Sequence, residues 1–163
     1  MRIIWRIIAL GSGFAVCCVA LMAQAGQKQP ANPGGDDSNV RPPVTEADLR
    51  IAKRAQKILD TPSKWNRADT RDCPAEAHTF SLYCALERAT DEVSGNFKHR
   101  GGAMQEARFV IDDVAPNAKT YQHRLMGYNN DPATSFADIQ RFFTLLQDRI
   151  KTRLADEQKG RDR

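Results

Sequence analysis

The sequence predicts an all-α fold, a small compact bundle of about four helices, with a possible disulfide between Cys73 and Cys84. Three observations predict it. Apolar residues recur at helical spacing in four separate stretches, and residues that start or stop helices bound each one. Strand-like alternation of apolar and polar residues is scarce. Only about 110 residues carry the stripes, so the core is marginal in size and a covalent tie would help it.

The first helix follows Thr45, a good N-cap, with Asp48 at the third helical position and Val44 placed to staple onto Leu49. Ile51, Ala52, Ala55, Ile58 and Leu59 form its apolar stripe, and Asp60-Thr61-Pro62 ends it. A second helix spans about Phe80 to Val93, with Leu82, Ala85, Leu86, Ala89 and Val93 on one face, until Ser94-Gly95-Asn96 stops it. The third opens after Gly101-Gly102 and presents Met104, Ala107, Val110, Ile111 and Val114 before Pro116. In the fourth, Ile139, Phe142, Phe143, Leu146 and Ile150 make the clearest core-facing stripe of the chain. Past Leu154 the charged tail is expected to fray, so the helical domain is read as residues 45–155 and residues 156–163 as disordered.

Tyr128-Asn129-Asn130-Asp131-Pro132 precedes the fourth helix. Ser135 and Asp138 form a capping-box pair, and Pro132 biases Asp131 to an extended conformation. Short amide and carboxylate side chains here suit a loop entering a helix, with Tyr128 anchoring it to the core. The other reading is a ligand site using Asn130 and Asp131.

Residues 1–25 have the pattern of a signal peptide. Two arginines precede an apolar run, and Ala23-Gln24-Ala25 supplies a small-x-small cleavage site before Gly26. A retained anchor is the alternative, because the run approaches the length of a membrane span. Residues 26–44 are rich in Pro, Gly, Asn and Asp and read as a flexible linker. Whole, the chain has 24 Lys+Arg against 20 Asp+Glu; without Arg2 and Arg6 the balance is 22 against 20. That field is weak and its charges are interspersed, so no nucleic acid is expected as a partner.

Cleavage would also leave two cysteines of four, Cys73 and Cys84. In an oxidising compartment they are a candidate disulfide, with two buried thiols as the alternative. Within one straight helix they would stand roughly 16 Å apart, too far to bridge. A bridge therefore requires Cys73 to His78 to fold back as a loop.

Few constellations support chemistry. Cys73, His78 and Cys84 have no standard zinc spacing, even with His99 or His123 added, so no metal or other cofactor is expected. A cysteine nucleophile paired with His78 or His123 would need a free thiol. Asp112 and Asp113 diverge by about 100° on a helix and cannot share a proton. Asp131 with Asn129 and Asn130 lacks the spaced ligands of a calcium loop. No G-x-S-x-G, H-E-x-x-H or G-x-G-x-x-G occurs. The segment Lys98-His99-Arg100-Gly101-Gly102 places cations and glycines before a helix N-terminus, which suits a phosphate or carboxylate. Trp65, beside Asn66 and Arg67, reads as a core lid or as part of a recognition surface.

Several motifs together resemble a known family. Thr61-Pro62-Ser63-Lys64-Trp65 resembles its Pro-x-x-Trp segment, Tyr83-Cys84-Ala85-Leu86 its aromatic-Cys-Ala-Leu helix start, and Tyr128 to Ile139 its Asn-Asn-x-Pro-Ala-Thr signature. The family is an uncharacterised bacterial domain of unknown function, and the similarity covers Leu49 to Ile150. Glu87-Arg88-Ala89 departs from the Gly-Ala-Leu common at that place, and an export signal is unusual in the family. The resemblance implies a small helical domain and no particular chemistry.

The functional expectation is a non-enzymatic binding module, exported to the periplasm or medium, with a protein of the cell envelope as partner. Membrane contact would come only through the N-terminal segment before cleavage. The alternative is a receptor for a small anionic ligand, or a small enzyme, built on Lys98, Arg100, Gly101 and Gly102 with Asn130 and Asp131.

Overall fold

The computed structural model describes residues 41–162. The signal-peptide reading of residues 1–25 and most of the linker reading of residues 26–44 lie outside the described residues. Five helices follow in order: α1 (Glu46–Ile58), α2 (Leu82–Ser94), α3 (Gly102–Val114), α4 (Arg124–Asn130) and α5 (Phe136–Arg161). There is no strand among the described residues, only an isolated parallel bridge between Trp65 and Phe80. α1 packs against α2 and α5, while α3 lies against α5 and α4. The predicted stripes meet in one core: Ile51, Leu59, Leu86, Met104, Ile111, Phe142, Phe143 and Ile150 are all buried. No helix among the described residues is long and apolar enough to cross a membrane.

Local chemistry sets the helix ends. Asp48 accepts hydrogen bonds from the Thr45 amide and hydroxyl, both at 2.8 Å, and so closes the start of α1. Ser135 and Asp138 do the same for α5, with the Ser135 hydroxyl donating to Asp138 at 2.6 Å. α2 ends on Gly95, whose φ of 68° lies in the left-handed region that favours glycine. It begins at Leu82 rather than Phe80, because Ser81 caps it and Phe80 is drawn into the bridge.

Three segments differ from the sequence reading. Arg41 to Val44, read as linker, is docked. Val44 is buried, its amide donates to Glu157, the Arg41 guanidinium lies 4.1 Å from the Phe109 ring centre, and Arg153 donates to the Pro42 carbonyl. α5 continues to Arg161 instead of fraying past Leu154. Arg149 and Arg153 both reach the fully buried Glu106 of α3, at 2.8 and 2.6 Å, and Arg153 also pairs with Glu157. Those ion pairs hold the helix beyond its apolar stripe. Finally, Tyr128-Asn129-Asn130 is the last turn of α4, not a loop.

Cys73 and Cys84 form a disulfide, with Cα atoms 5.3 Å apart. Cys84 lies in the first turn of α2, and the Cys73 to His78 segment is non-helical, the condition that the bridge requires.

Candidate functional site

Between Trp65 and Phe80 the chain makes a loop of 14 residues with no helix or strand of its own. Its neck is closed. The Asn66 amide donates to the Phe80 carbonyl at 2.9 Å, and the Phe80 amide donates to Lys64 at 2.8 Å. Compact loops with adjoining ends are a common way to carry function on a rigid scaffold. An irregular segment of this length needs its backbone held from outside, and three devices hold this one.

The disulfide pins the middle of the loop to α2. At the neck, Asn129 of α4 is fully buried, and its amide group is saturated. Its Oδ1 accepts from Trp65 Nε1 at 2.8 Å and from the Leu82 amide at 2.9 Å. Its Nδ2 donates to the Asn66 carbonyl and to Asn130 Oδ1, both at 3.0 Å. Asn130 then pairs with the Asp69 backbone as a strand neighbour would, accepting from its amide at 2.8 Å and donating to its carbonyl at 2.9 Å. Outside the neck, Arg67 lies over the Trp65 ring and donates to the Asp131 and Pro132 carbonyls.

Inside the loop is a cleft of about 300 Å³, lined among others by Asn66, Asp69, Thr70, Asp72, Thr79 and Ser81, with the cystine as part of its wall. Asp69 is 4% exposed. Its Oδ1 accepts from the Arg71 amide at 2.7 Å, an Asx turn that carries Arg71 to a φ of 61°. Such a backbone is uncommon for a residue other than glycine and recurs at functional sites. The other oxygen, Oδ2, is buried with no hydrogen-bond partner among the described residues. Burial pushes the Asp69 carboxyl above its ordinary value; the Arg71 amide, the Ser81 hydroxyl (near the carboxyl but outside hydrogen-bond geometry) and the Arg71 charge oppose that only in part.

The residues singled out in the sequence fall into two sets tied to different elements. Asn130 and Asp131 belong to the loop's fastening. Asp131 accepts from the Tyr121 hydroxyl at 2.6 Å and from the Ala133 amide at 2.9 Å. The Tyr121 bond, first, holds the Asp131 carboxyl below its usual value, and burial together with the same charge pushes Tyr121 up. Lys98, Arg100, Gly101 and Gly102 sit at the start of α3, with both cations exposed. The α3 amides there already face an anion, which is Asp48: its Oδ1 accepts from the Ala103 amide at 2.7 Å. A Cβ on Gly102 would lie 2.8 Å from that carboxylate, so glycine is required by the close approach. One aspartate thus closes the N-termini of α1 and α3 together.

Asp69 belongs to no motif, and no spacing in the sequence points to it. Trp65 is the nearest signal the sequence offers. Its ring is half-buried, 6.2 Å from Phe136, while its N–H fastens the loop. Among the described residues no group of three His, Cys, Asp or Glu side chains is arranged to hold a metal ion.

Residues 43–149 match the model of a family of unknown function, DUF6197, and the chain belongs to that family. No curated protein and no solved structure matches it.

Proposed function

We propose that this protein is an exported, disulfide-stabilised helical domain that acts as a non-enzymatic binding module in the cell envelope, and that the loop Asn66 to Thr79 is its binding surface. The observation that carries this reading is the threefold fastening of an otherwise irregular loop by Cys73–Cys84, Asn129 and Asn130. Loops of this length without secondary structure are uncommon unless they serve a function. A loop rigid before binding loses little entropy when a partner docks. The disulfide favours an oxidising compartment, in keeping with the signal-like N-terminal segment.

An alternative is a small anionic ligand held by Lys98, Arg100, Gly101 and Gly102. Its support is the pair of exposed cations, and such a ligand would have to compete with Asp48 for the Ala103 amide.

Native intact-mass spectrometry of the protein isolated from the cell envelope tests the proposal. The expected spectrum starts at Gly26, lacks two hydrogens for the cystine, and includes a complex with a second protein. The complex should vanish for a variant with Glu76→Arg and His78→Glu, two exposed loop positions. A chain beginning at Met1 with free thiols, or a complex indifferent to the loop variant, would contradict it.

A further inference from the structure

Resting on the reading of this loop as a binding surface, we infer that the cleft beside the Cys73–Cys84 disulfide is a subsite for a single ammonium or guanidinium group, which Asp69 receives through its unpartnered Oδ2. Two features carry this. The cleft has room for such a group, at about 300 Å³. Asp69 is nearly buried in its wall and has one oxygen met by the Arg71 amide and one met by nothing among the described residues. A buried carboxylate oxygen without a donor is costly, and a charged N–H donor gives it the strongest compensation available.

The rest of the lining suits the same occupant. Thr70 and Thr79 offer hydroxyls and Asn66 an amide, and neither lysine nor arginine is part of the wall. Neither of the two arginines nearest in sequence hydrogen-bonds Asp69 through its guanidinium, although the Arg71 charge reaches it. Arg67 bonds the Asp131 and Pro132 carbonyls, and Arg71 lies over the Tyr83 ring and reaches His123 at 3.3 Å. A cation entering the cleft also restores the ionised form that burial disfavours in Asp69. The ligand chemistry has two sources, the side chain of an arginine or lysine on a partner protein, and a free small amine.

The test is a two-dimensional amide NMR titration of the oxidised protein with methylguanidinium and with the peptide Gly-Arg-Gly, using acetate as a control for ionic strength. Saturable shifts are expected at Asp69, Thr70 and Ser81, with none from acetate. Tighter binding of the peptide identifies the side-chain source, and equal binding identifies the free cation. Asp69→Asn keeps an acceptor for the Arg71 amide and removes the charge, so affinity should fall about tenfold or more. Should that variant not fold, Ala77→Leu narrows the cleft without altering Asp69 and should abolish the shifts. No saturable shift in the parent protein, or binding unchanged in either folded variant, overturns the inference. An envelope complex that still depends on Glu76 and His78 would then leave the loop reading standing.

Discussion

Replacing Asn129 by alanine should cost more stability than any other single polar truncation at the loop. The side chain is 0% exposed and uses both acceptor positions and both donors. Truncation orphans the Leu82 amide in the first turn of α2, where Leu82 itself is fully buried and water has no ready access. That group alone accounts for about 1–3 kcal/mol. The Trp65 indole is half-buried and Asn66 is exposed, so water recovers part of their bonds and each adds about 1 kcal/mol. The expected total is about 3–5 kcal/mol, a large share of the roughly 5–15 kcal/mol typical of a domain. Urea denaturation of the oxidised protein measures it. With an m-value of about 1.5 kcal/mol/M, the midpoint should fall by about 2–3 M. Asn130→Ala is the matched control. Asn130 is exposed and its Asp69 partners can turn to water, so it should lose only about 1 kcal/mol. Equal midpoints for Asn129→Ala and the parent would refute the idea that this amide organises the loop.

Three further outcomes follow from the same geometry. Reducing Cys73–Cys84, which closes a loop with a sequence separation of 11, should lower stability by about 3 kcal/mol in denaturation with and without reductant, and coincident curves would contradict that. Glu106→Gln removes a fully buried charge shared by Arg149 and Arg153, and should destabilise by about 3 kcal/mol in the same assay; a loss under about 1 kcal/mol would mean that water already serves those arginines. For Asp69 the folded-state pKa is raised, so the native form holds the proton more tightly and stability declines as pH rises from 3.8 through the folded pKa. Asp69→Asn should therefore gain on the parent protein as pH rises from about 3 to about 7, whatever its offset in acid, and a difference that stays constant with pH would count against a strained carboxyl.

Legibility in the sequence followed the range of each interaction. Helices α1, α2, α3 and α5 were readable because their stripes and caps are local: Thr45 with Asp48, Ser135 with Asp138, and Phe142 with Phe143 on one face. The disulfide was readable as a candidate, since only the fold-back of Cys73 to His78 had to be supplied. Most missed features depend on partners outside the local sequence. α4 is a seven-residue helix containing Gly127 and two asparagines, and its stability comes from contacts rather than propensity. Tyr128 packs 6.2 Å from Phe142, and Gly127 lies under Tyr121 with no room for a Cβ. Asn129 bonds residues 47 and 64 positions away, and Asp48 serves a helix 55 positions on. The polarity of Asn129-Asn130-Asp131 was visible in the sequence. That it faces inward to fasten another loop was not.

Backbone hydrogen exchange of the oxidised protein shows whether Asn66 to Thr79 is a fixed surface held from three sides. The amides of Asn66, Asp69, Arg71 and Phe80, each a donor in the fastened loop, should exchange nearly as slowly as those in the core of α2. Their protection should fall on reduction of the disulfide or in Asn129→Ala. Exchange of these four amides at the rate of an unfolded chain in the oxidised parent protein would contradict the account.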